Sequence, residues 1–256
     1  MQLVKSAVRV LEIFELFDKL KRPLGTAEIA RNLQFPLSSS SMLLRSLVEL
    51  GFLSCDPRSR LYFPTLRISL LGEAIADLIP RTQKVRDLMR RVHQQTQEIT
   101  ILGTRNGLNL QYIDIMQDER GQRLTHRSGS LRPLFRAAGG VAILSTYSDD
   151  FVGQLVRHYN AQQPMGAKLV RIQRLLKTIE TTRKEGYAMV VNQLKLGHGS
   201  IAMALPAEPA DHRPLVVSVS APVTRLRKRR ELIVNAMRAA IAASQKRNFQ
   251  DVDQLL

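Results

Sequence analysis

Pro36 to Leu53 reads PLSSSSMLLRSLVELGFL, four consecutive serines running directly into a leucine-rich stretch. Serine runs usually mark loops. Yet Leu43, Leu44, Leu47 and Leu50 recur at three- and four-residue steps, the pattern of a helix with one buried face. The two observations agree if the serines begin that helix. Ser38 or Ser39 can then cap it, with the other hydroxyls in its first turn. Gly51 stands where a left-handed residue ends a helix.

Upstream, SAVRVLEIFELFDKL (6–20) sets Val10, Leu11, Phe14, Phe17 and Leu20 on a helical period, with Ser6 as a candidate cap. Pro23 and Gly25 break the pattern. TAEIARNL (26–33) reads as a short helix capped by Thr26, with Glu28 in its positive first turn and Ile29, Ala30 and Leu33 as its apolar stripe. Downstream, FLSCDPRSRLYF (52–63) is two short strand-like runs around a turn, a hairpin. Three helices, the last two joined by a tight turn, and then a hairpin describe a winged helix-turn-helix. Its second turn helix enters the DNA major groove with its N-terminal end leading. The serines then acquire a physical purpose. Small hydroxyl side chains permit close approach and can hydrogen-bond phosphates or base edges, and the amides of a helix start attract phosphate. The plainer alternative is one capping serine and three solvated ones.

The chain has 256 residues, enough for one large domain or two ordinary ones. Its 44% hydrophobic content is ordinary for a globular protein. No stretch approaches the roughly 20 apolar residues of a membrane helix. MQLVKSAVRV lacks a secretory apolar core, so the cytoplasm is the expected location and no membrane is involved. The single cysteine, Cys55, excludes an intrachain disulfide and a cysteine-built metal site. Lys and Arg outnumber Asp and Glu by 38 to 22, a net charge of +16. That is the electrostatic footprint of a nucleic-acid binder, although a merely soluble basic surface has the same composition.

Beyond the hairpin, TLRISLLGEAIADLI (65–79) is a further helix, with Leu66, Leu70, Leu71, Ala74 and Leu78 on its apolar side, broken at Pro80. Its apolar face suits either dimerisation or packing on its own domain. KVRDLMRRVHQQTQ (84–97) is helical, and ITILGTRNGLNLQYIDIMQ (99–117) is two strands across Asn106-Gly107. RLTHRSGSLRPLF (123–135) is strand and loop. RAAGGVAILSTY (136–147) is a small-residue helix packed closely on a sheet. Ser148 caps a helix with two acids in its first turn, and AKLVRIQRLLKTIETTRKEGY (167–187) is a long helix ending at Gly186. SIAMALP and PLVVSVSAP are strands, and residues 224–249 form one basic helix. Strands and helices without βαβ regularity indicate an α+β fold with an antiparallel sheet. The expected organisation is a winged helix-turn-helix over 1–65, a linker helix over 66–80 and a third region over 81–256.

With these segments in hand, the chain resembles the IclR family of bacterial transcriptional regulators. VKSAVRVLEIFE is similar to that family's opening helix, with Ser6 and Arg9 at favoured positions. Residues 23–72 resemble its helix-turn-helix, wing and linker. GSLRPLFRAAGGVAIL, EGYAMVVNQLKLGHGSIAMALPA and PLVVSVSAPVTRL resemble its later blocks. The resemblance implies a GAF/PAS-like C-terminal domain, its antiparallel sheet flanked by helices, that binds a small-molecule effector. It also implies a homodimer or dimer of dimers on a near-palindromic double-stranded DNA operator, acting as repressor or activator. Four departures stand out. Leu37 and Met42 occupy places where the family often has a basic residue and an arginine. Gln34-Phe35 replaces a glycine-containing turn. Gly140, Val141 and Ala142 replace Gly-Lys-Ala, and Asn192-Gln193 replaces an acidic pair. The last two argue for a different effector.

The candidate DNA contacts are Ser38, Ser39, Ser40, Ser41 and Arg45 on the recognition helix, Thr26 on the preceding one, and Arg58 and Arg60 in the hairpin. Arg45 is equally readable as a solvated helix residue and Thr26 as a cap. For the effector, the resemblance carries over to Ser218 and Ser220. As alternate strand residues they face one side of a sheet, where two hydroxyls can converge on a small organic acid. Ala138, Gly139, His198 and Ser200 stand at matching positions. Each serine is otherwise an ordinary strand residue on an outer face. His198 has no companion histidine at ligand spacing, so neither metal nor cofactor is expected. Arg225 to Arg230 is readable as a solvated helix start, a lipid or nucleic-acid patch, or an oligomer contact. Two rivals remain in view: an enzyme on a GAF-like fold, and a non-specific basic RNA- or nucleic-acid-binding protein. The first lacks a G-x-S-x-G elbow and a P-loop, and the second has few aromatics for base stacking and no RNP-like motif.

Overall fold

The structure, a computed structural model, describes residues 4–76, 82–117, 128–207 and 213–250. Leu78, Pro80 and the start of the 123–135 segment lie outside the described residues. The chain divides into two compact units, Met1–Pro80 and Arg81–Leu256.

The first unit runs α1 (Lys5–Leu20), β1 (Leu24–Gly25), α2 (Thr26–Leu33), α3 (Leu37–Glu49), β2 (Leu53–Cys55), β3 (Leu61–Pro64) and α4 (Leu66–Ala76). Ile13, Leu16, Phe17, Leu24, Ile29, Leu44, Leu47 and Leu53 close its core. The hairpin β2–β3 forms as read. The unanticipated β1 pairs with β3 and makes a three-stranded antiparallel sheet, ordered β1-β3-β2.

Three capping expectations are corrected. Val4, Gly25 and Pro36, rather than Ser6, Thr26 and Ser38 or Ser39, hold the cap positions of α1, α2 and α3. Proline before α3 supplies an extended residue at little entropic cost, and its carbonyl accepts from the Ser40 amide at 3.0 Å. The turn between α2 and α3 places Gln34 in the left-handed region at φ 57°, where glycine is the low-cost residue. Gly51 is left-handed as expected, at φ 75°. Leu50 is exposed, not buried, because the inner face of α3 centres on Ser40, Leu44 and Leu47 and Leu50 falls at its edge.

The second unit runs α5 (Thr82–Thr96), β4 (Ile99–Asn106), β5 (Asn109–Met116), β6 (Leu131–Pro133), α6 (Ala138–Leu144), α7 (Asp149–Ala161) and α8 (Ile172–Glu185). It continues with β7 (Ala188–Val191), β8 (His198–Ala204), β9 (Leu215–Pro222), α9 (Val223–Lys228) and α10 (Arg230–Gln250). Its six strands pair antiparallel throughout in the order β6-β5-β4-β9-β8-β7. Two apolar layers sandwich this sheet. Val216, Ile101 and Ala202 pack with α6, α7 and α8 on one face, and Val217, Val219 and Ile201 pack with α5 and α10 on the other. A sheet covered on both faces explains why β9 is apolar at almost every position. The fold is thus α+β, with the antiparallel sheet flanked by helices.

Every residue of α6 is buried. A methyl group added at Gly140 would lie 1.8 Å from the Leu134 carbonyl oxygen, so only glycine permits this approach. The expected single C-terminal helix is two: Arg229 breaks it at φ −109° while donating to the Thr96 carbonyl at 2.9 Å.

Charge divides unevenly. Residues 1–80 hold 10 Lys and Arg against 8 Asp and Glu, a net +2, whereas residues 81–256 hold 28 against 14, a net +14. Among the described residues no helix is long and apolar enough to cross a membrane.

Candidate nucleic-acid interface and effector face

The start of α3 sorts its serines by depth. Ser38 is exposed, and Ser39 and Ser41 are half-buried. Ser40 is fully buried, and its Oγ donates to the Pro36 carbonyl at 3.1 Å. Ser40 is therefore withdrawn as a DNA contact: it seats the helix on the core. Ser39 Oγ also donates to that carbonyl, at 3.0 Å, and accepts from Arg9 Nη1 at 3.3 Å. The Arg9 guanidinium lies 4.9 Å from the Phe35 ring centroid, so α1 is tied to the turn before α3. Arg9 belongs beside the interface residues, and its position in the opening helix was the only signal for it.

One turn on, Arg45 is exposed and donates to Ser41 Oγ at 3.3 Å. Ser38, Ser41, Met42 and Arg45 thus share the outward side of α3, away from the Leu44–Leu47 underside, while Leu37 is exposed as the first residue of the helix. Thr26 is half-buried at the first position of α2. In the hairpin, Asp56 builds the turn by accepting from the Arg58 amide at 2.9 Å and from Ser59 Oγ at 2.7 Å. These bonds, the Ser59 one foremost, hold its carboxyl below the usual range. Arg58 and Arg60 are left exposed, Arg60 at φ 57°.

In the second unit, Ser218 and Ser220 do share a sheet face, that of α6. Ser220 is the cross-strand partner of Ser200, and Ser218 that of Ala202. His198 and Ser200 alternate on β8 with the same parity, so the three serines and the histidine line one side. A methyl added at Gly139 would lie 3.1 Å from Ser218 Oγ, which places the start of α6 directly over β9. Ser218 and Ser220 are each 5% exposed. Ser220 Oγ donates to the Gly199 carbonyl at 3.3 Å. Burial, aided by Lys195 and Arg225, lowers the His198 pKa, which favours the neutral ring, and its Nδ1 is buried without a hydrogen-bond partner. A polar atom in that state ordinarily has a partner, so this face has unspent capacity for a polar group. No cluster of three or more His, Cys, Asp or Glu that could hold a metal occurs among the described residues.

The run Arg225–Arg230 is in part structural. Arg225 and Arg229 meet the buried Glu98 carboxylate at 3.0 and 3.5 Å. Burial raises the Glu98 pKa, and the two guanidiniums oppose that shift. Arg230 donates to the Tyr187 hydroxyl at 2.6 Å and pairs with Glu185 at 3.1 Å.

These two sites accord with comparisons against known proteins. The family model of the IclR helix-turn-helix domain matches residues 6–57, and that of the bacterial transcriptional regulator IclR C-terminal domain matches residues 77–246. The Escherichia coli K12 transcriptional repressor AllR is 24% identical over 85% of this chain and 80% of its own length. The regulator KdgR of the same organism is 23% identical over 71% and 70%. The crystal structure of Thermotoga maritima IclR superposes with a TM-score of 0.65 at 18% identity, covering 94% of this chain and 98% of that one. The IclR effector domain from Acinetobacter sp. ADP1 gives 0.58 at 21% identity, covering 64% and 95%. A helix-turn-helix with a half-exposed hydroxyl face, followed by a sheet domain matched along most of its length, makes this chain a member of the IclR family of bacterial transcriptional regulators, a DNA-binding regulator with a C-terminal effector-binding domain and not an enzyme.

Proposed function

We propose that this regulator binds a near-palindromic operator as a homodimer or dimer of dimers in the cytoplasm, and that a small organic acid held in residues 81–256 alters its affinity. The single observation that carries the DNA half is the outward side of α3, where Ser38, Ser41 and Arg45 stand exposed or half-exposed above a leucine underside. Ser38, Ser39 and Ser41 approach base edges or phosphates, Arg45 and Thr26 flank them, and Arg58 and Arg60 reach phosphate or the minor groove. Two such helices fit successive major grooves when the half-sites lie about 34–36 Å apart or a multiple of that.

A second copy is the natural cover for α4. Leu66 is 79% exposed and Leu70 62%, with Leu71 and Ile75 also exposed on the same short helix. Residues 66–80 then act as a linker that is also a dimer contact. For the effector, the unpartnered Nδ1 of His198 and the hydroxyls of Ser200, Ser218 and Ser220 supply polar contacts, with Ala138 and Gly139 closing the face from α6. An effector shifts DNA affinity only by its differential affinity for the two arrangements of the protein.

A gel shift of the full chain with its own upstream DNA, against random duplex, tests the DNA half. A retarded band confined to the upstream fragment is expected, and equal retention of both duplexes would contradict it. Calorimetric titration of aliphatic and aromatic acids into the same protein tests the effector half. Saturable binding weakened by Ser218→Ala is expected, and an effector that binds Ser218→Ala unchanged would contradict the assignment.

A further inference from the structure

We propose that Leu37 and Met42 read the 5-methyl groups of thymines in the operator. The inference rests on the assignment of α3 as the recognition helix. Leu37 is 57% exposed at the first position of α3, next to Ser38 and one turn before Ser41, and Met42 is 66% exposed on the side it shares with Ser38, Ser41 and Arg45. Neither joins the core of its unit. Large apolar side chains standing in water on a helix tip have something to gain only from a partner with apolar surface.

The major groove offers one such group. Guanine, cytosine and adenine edges present only hydrogen-bond donors and acceptors there, whereas thymine adds a methyl. Leucine and methionine cannot replace a bidentate arginine on guanine, so they shift preference toward thymine. The neighbouring hydroxyls supply the hydrogen bonds that an all-apolar face would forfeit. The occupant is duplex DNA on grounds of charge. Arg45 sits one turn beyond Met42 on the same side, and Arg9 is anchored at the helix start through Ser39. Phosphate contacts by these arginines position the helix without reading sequence, so selectivity has to come from contacts to base edges.

The test begins with selection of preferred sites from random duplex by the full chain. Each thymine of the selected site is then replaced singly by deoxyuridine, which removes the methyl and keeps the hydrogen-bonding edge. The expected result is about fourfold weaker binding at one or two positions in each half-site. Met42→Ala should abolish that sensitivity at one position and Leu37→Ala at another. Both residues are exposed, and unchanged melting of the variants verifies folding.

If selection yields no preferred site, the recognition-helix reading itself falls. Selective binding that is indifferent to deoxyuridine at every position would leave that reading standing and overturn this one. So would sensitivity that persists in both variants. Variants that bind DNA as tightly as the parent but change its sedimentation would assign the face to a second copy instead.

Discussion

The two units of this chain divide the labour of binding in a way their charges make visible. Residues 1–80 are nearly neutral at +2, yet they present the hydroxyl and apolar tip of α3. Residues 81–256 carry +14 and bury Ser218 and Ser220 on the sheet face that α6 covers. The charge excess that marks the whole sequence as a nucleic-acid binder is therefore concentrated outside the recognition unit. Specific reading of a groove depends on shape and hydrogen bonding near a few side chains, whereas net charge acts at a distance and without sequence preference. Some of the basic side chains of the second unit also have structural partners within it: Arg225 and Arg229 meet Glu98, and Arg230 ties Tyr187 to Glu185.

Substitutions that strike one unit and spare the other test this division most strongly. Gly140→Ala forces a methyl against the Leu134 carbonyl at 1.8 Å. The effector unit should lose about 3 kcal/mol or more, while a calorimetric transition from residues 1–80 stays in place. Leu44→Ala is the mirror experiment. It empties a fully buried site in the first unit and should cost that unit about 2–5 kcal/mol in chemical denaturation. A single merged transition that shifts for both variants would contradict two separately stable units.

Smaller effects separate the two kinds of charge. Arg45→Ala should lower the salt slope of operator binding by roughly one unit if the guanidinium meets phosphate. Arg227→Ala, exposed in the second unit, should leave the ratio of operator to random affinity unchanged. The reverse pattern in titrations at several salt concentrations would move recognition to residues 81–256. Smallest of all, Gln34→Gly should stabilise the first unit by about 1 kcal/mol, by relieving a left-handed residue at φ 57°. No gain in melting temperature would mean that the Gln34 side chain offsets its backbone cost.

Much of the architecture was legible in the sequence because it depends on long periodic signals. The leucines of α3, the hairpin around Asp56, the strands β4 and β5 across Asn106-Gly107 and the Ser148 cap all form where patterning puts them. Short or degenerate features were not legible. β7 is four residues long, held by pairing with β8 rather than by its own composition. Arg229, which divides α9 from α10, looks like every other member of its basic run, and its role is set by Glu98 about 130 residues away in sequence. Ser40 cannot be told from its three neighbours until Pro36 fixes the phase of the helix and turns that hydroxyl inward. At the candidate effector face the alternation of Ser218 and Ser220 was readable. The orphaned Nδ1 of His198 was not, because it depends on what packs around β8.

The most direct test of the central claim uses the chain's single cysteine. In a Cys55→Ser background, Ser38→Cys carries a tethered iron chelate that cuts DNA near the tip of α3. On the bound operator the account predicts two clusters of strand cleavage, one inside each half-site. Cleavage spread evenly along the fragment, or none at all while the operator stays bound, would contradict it.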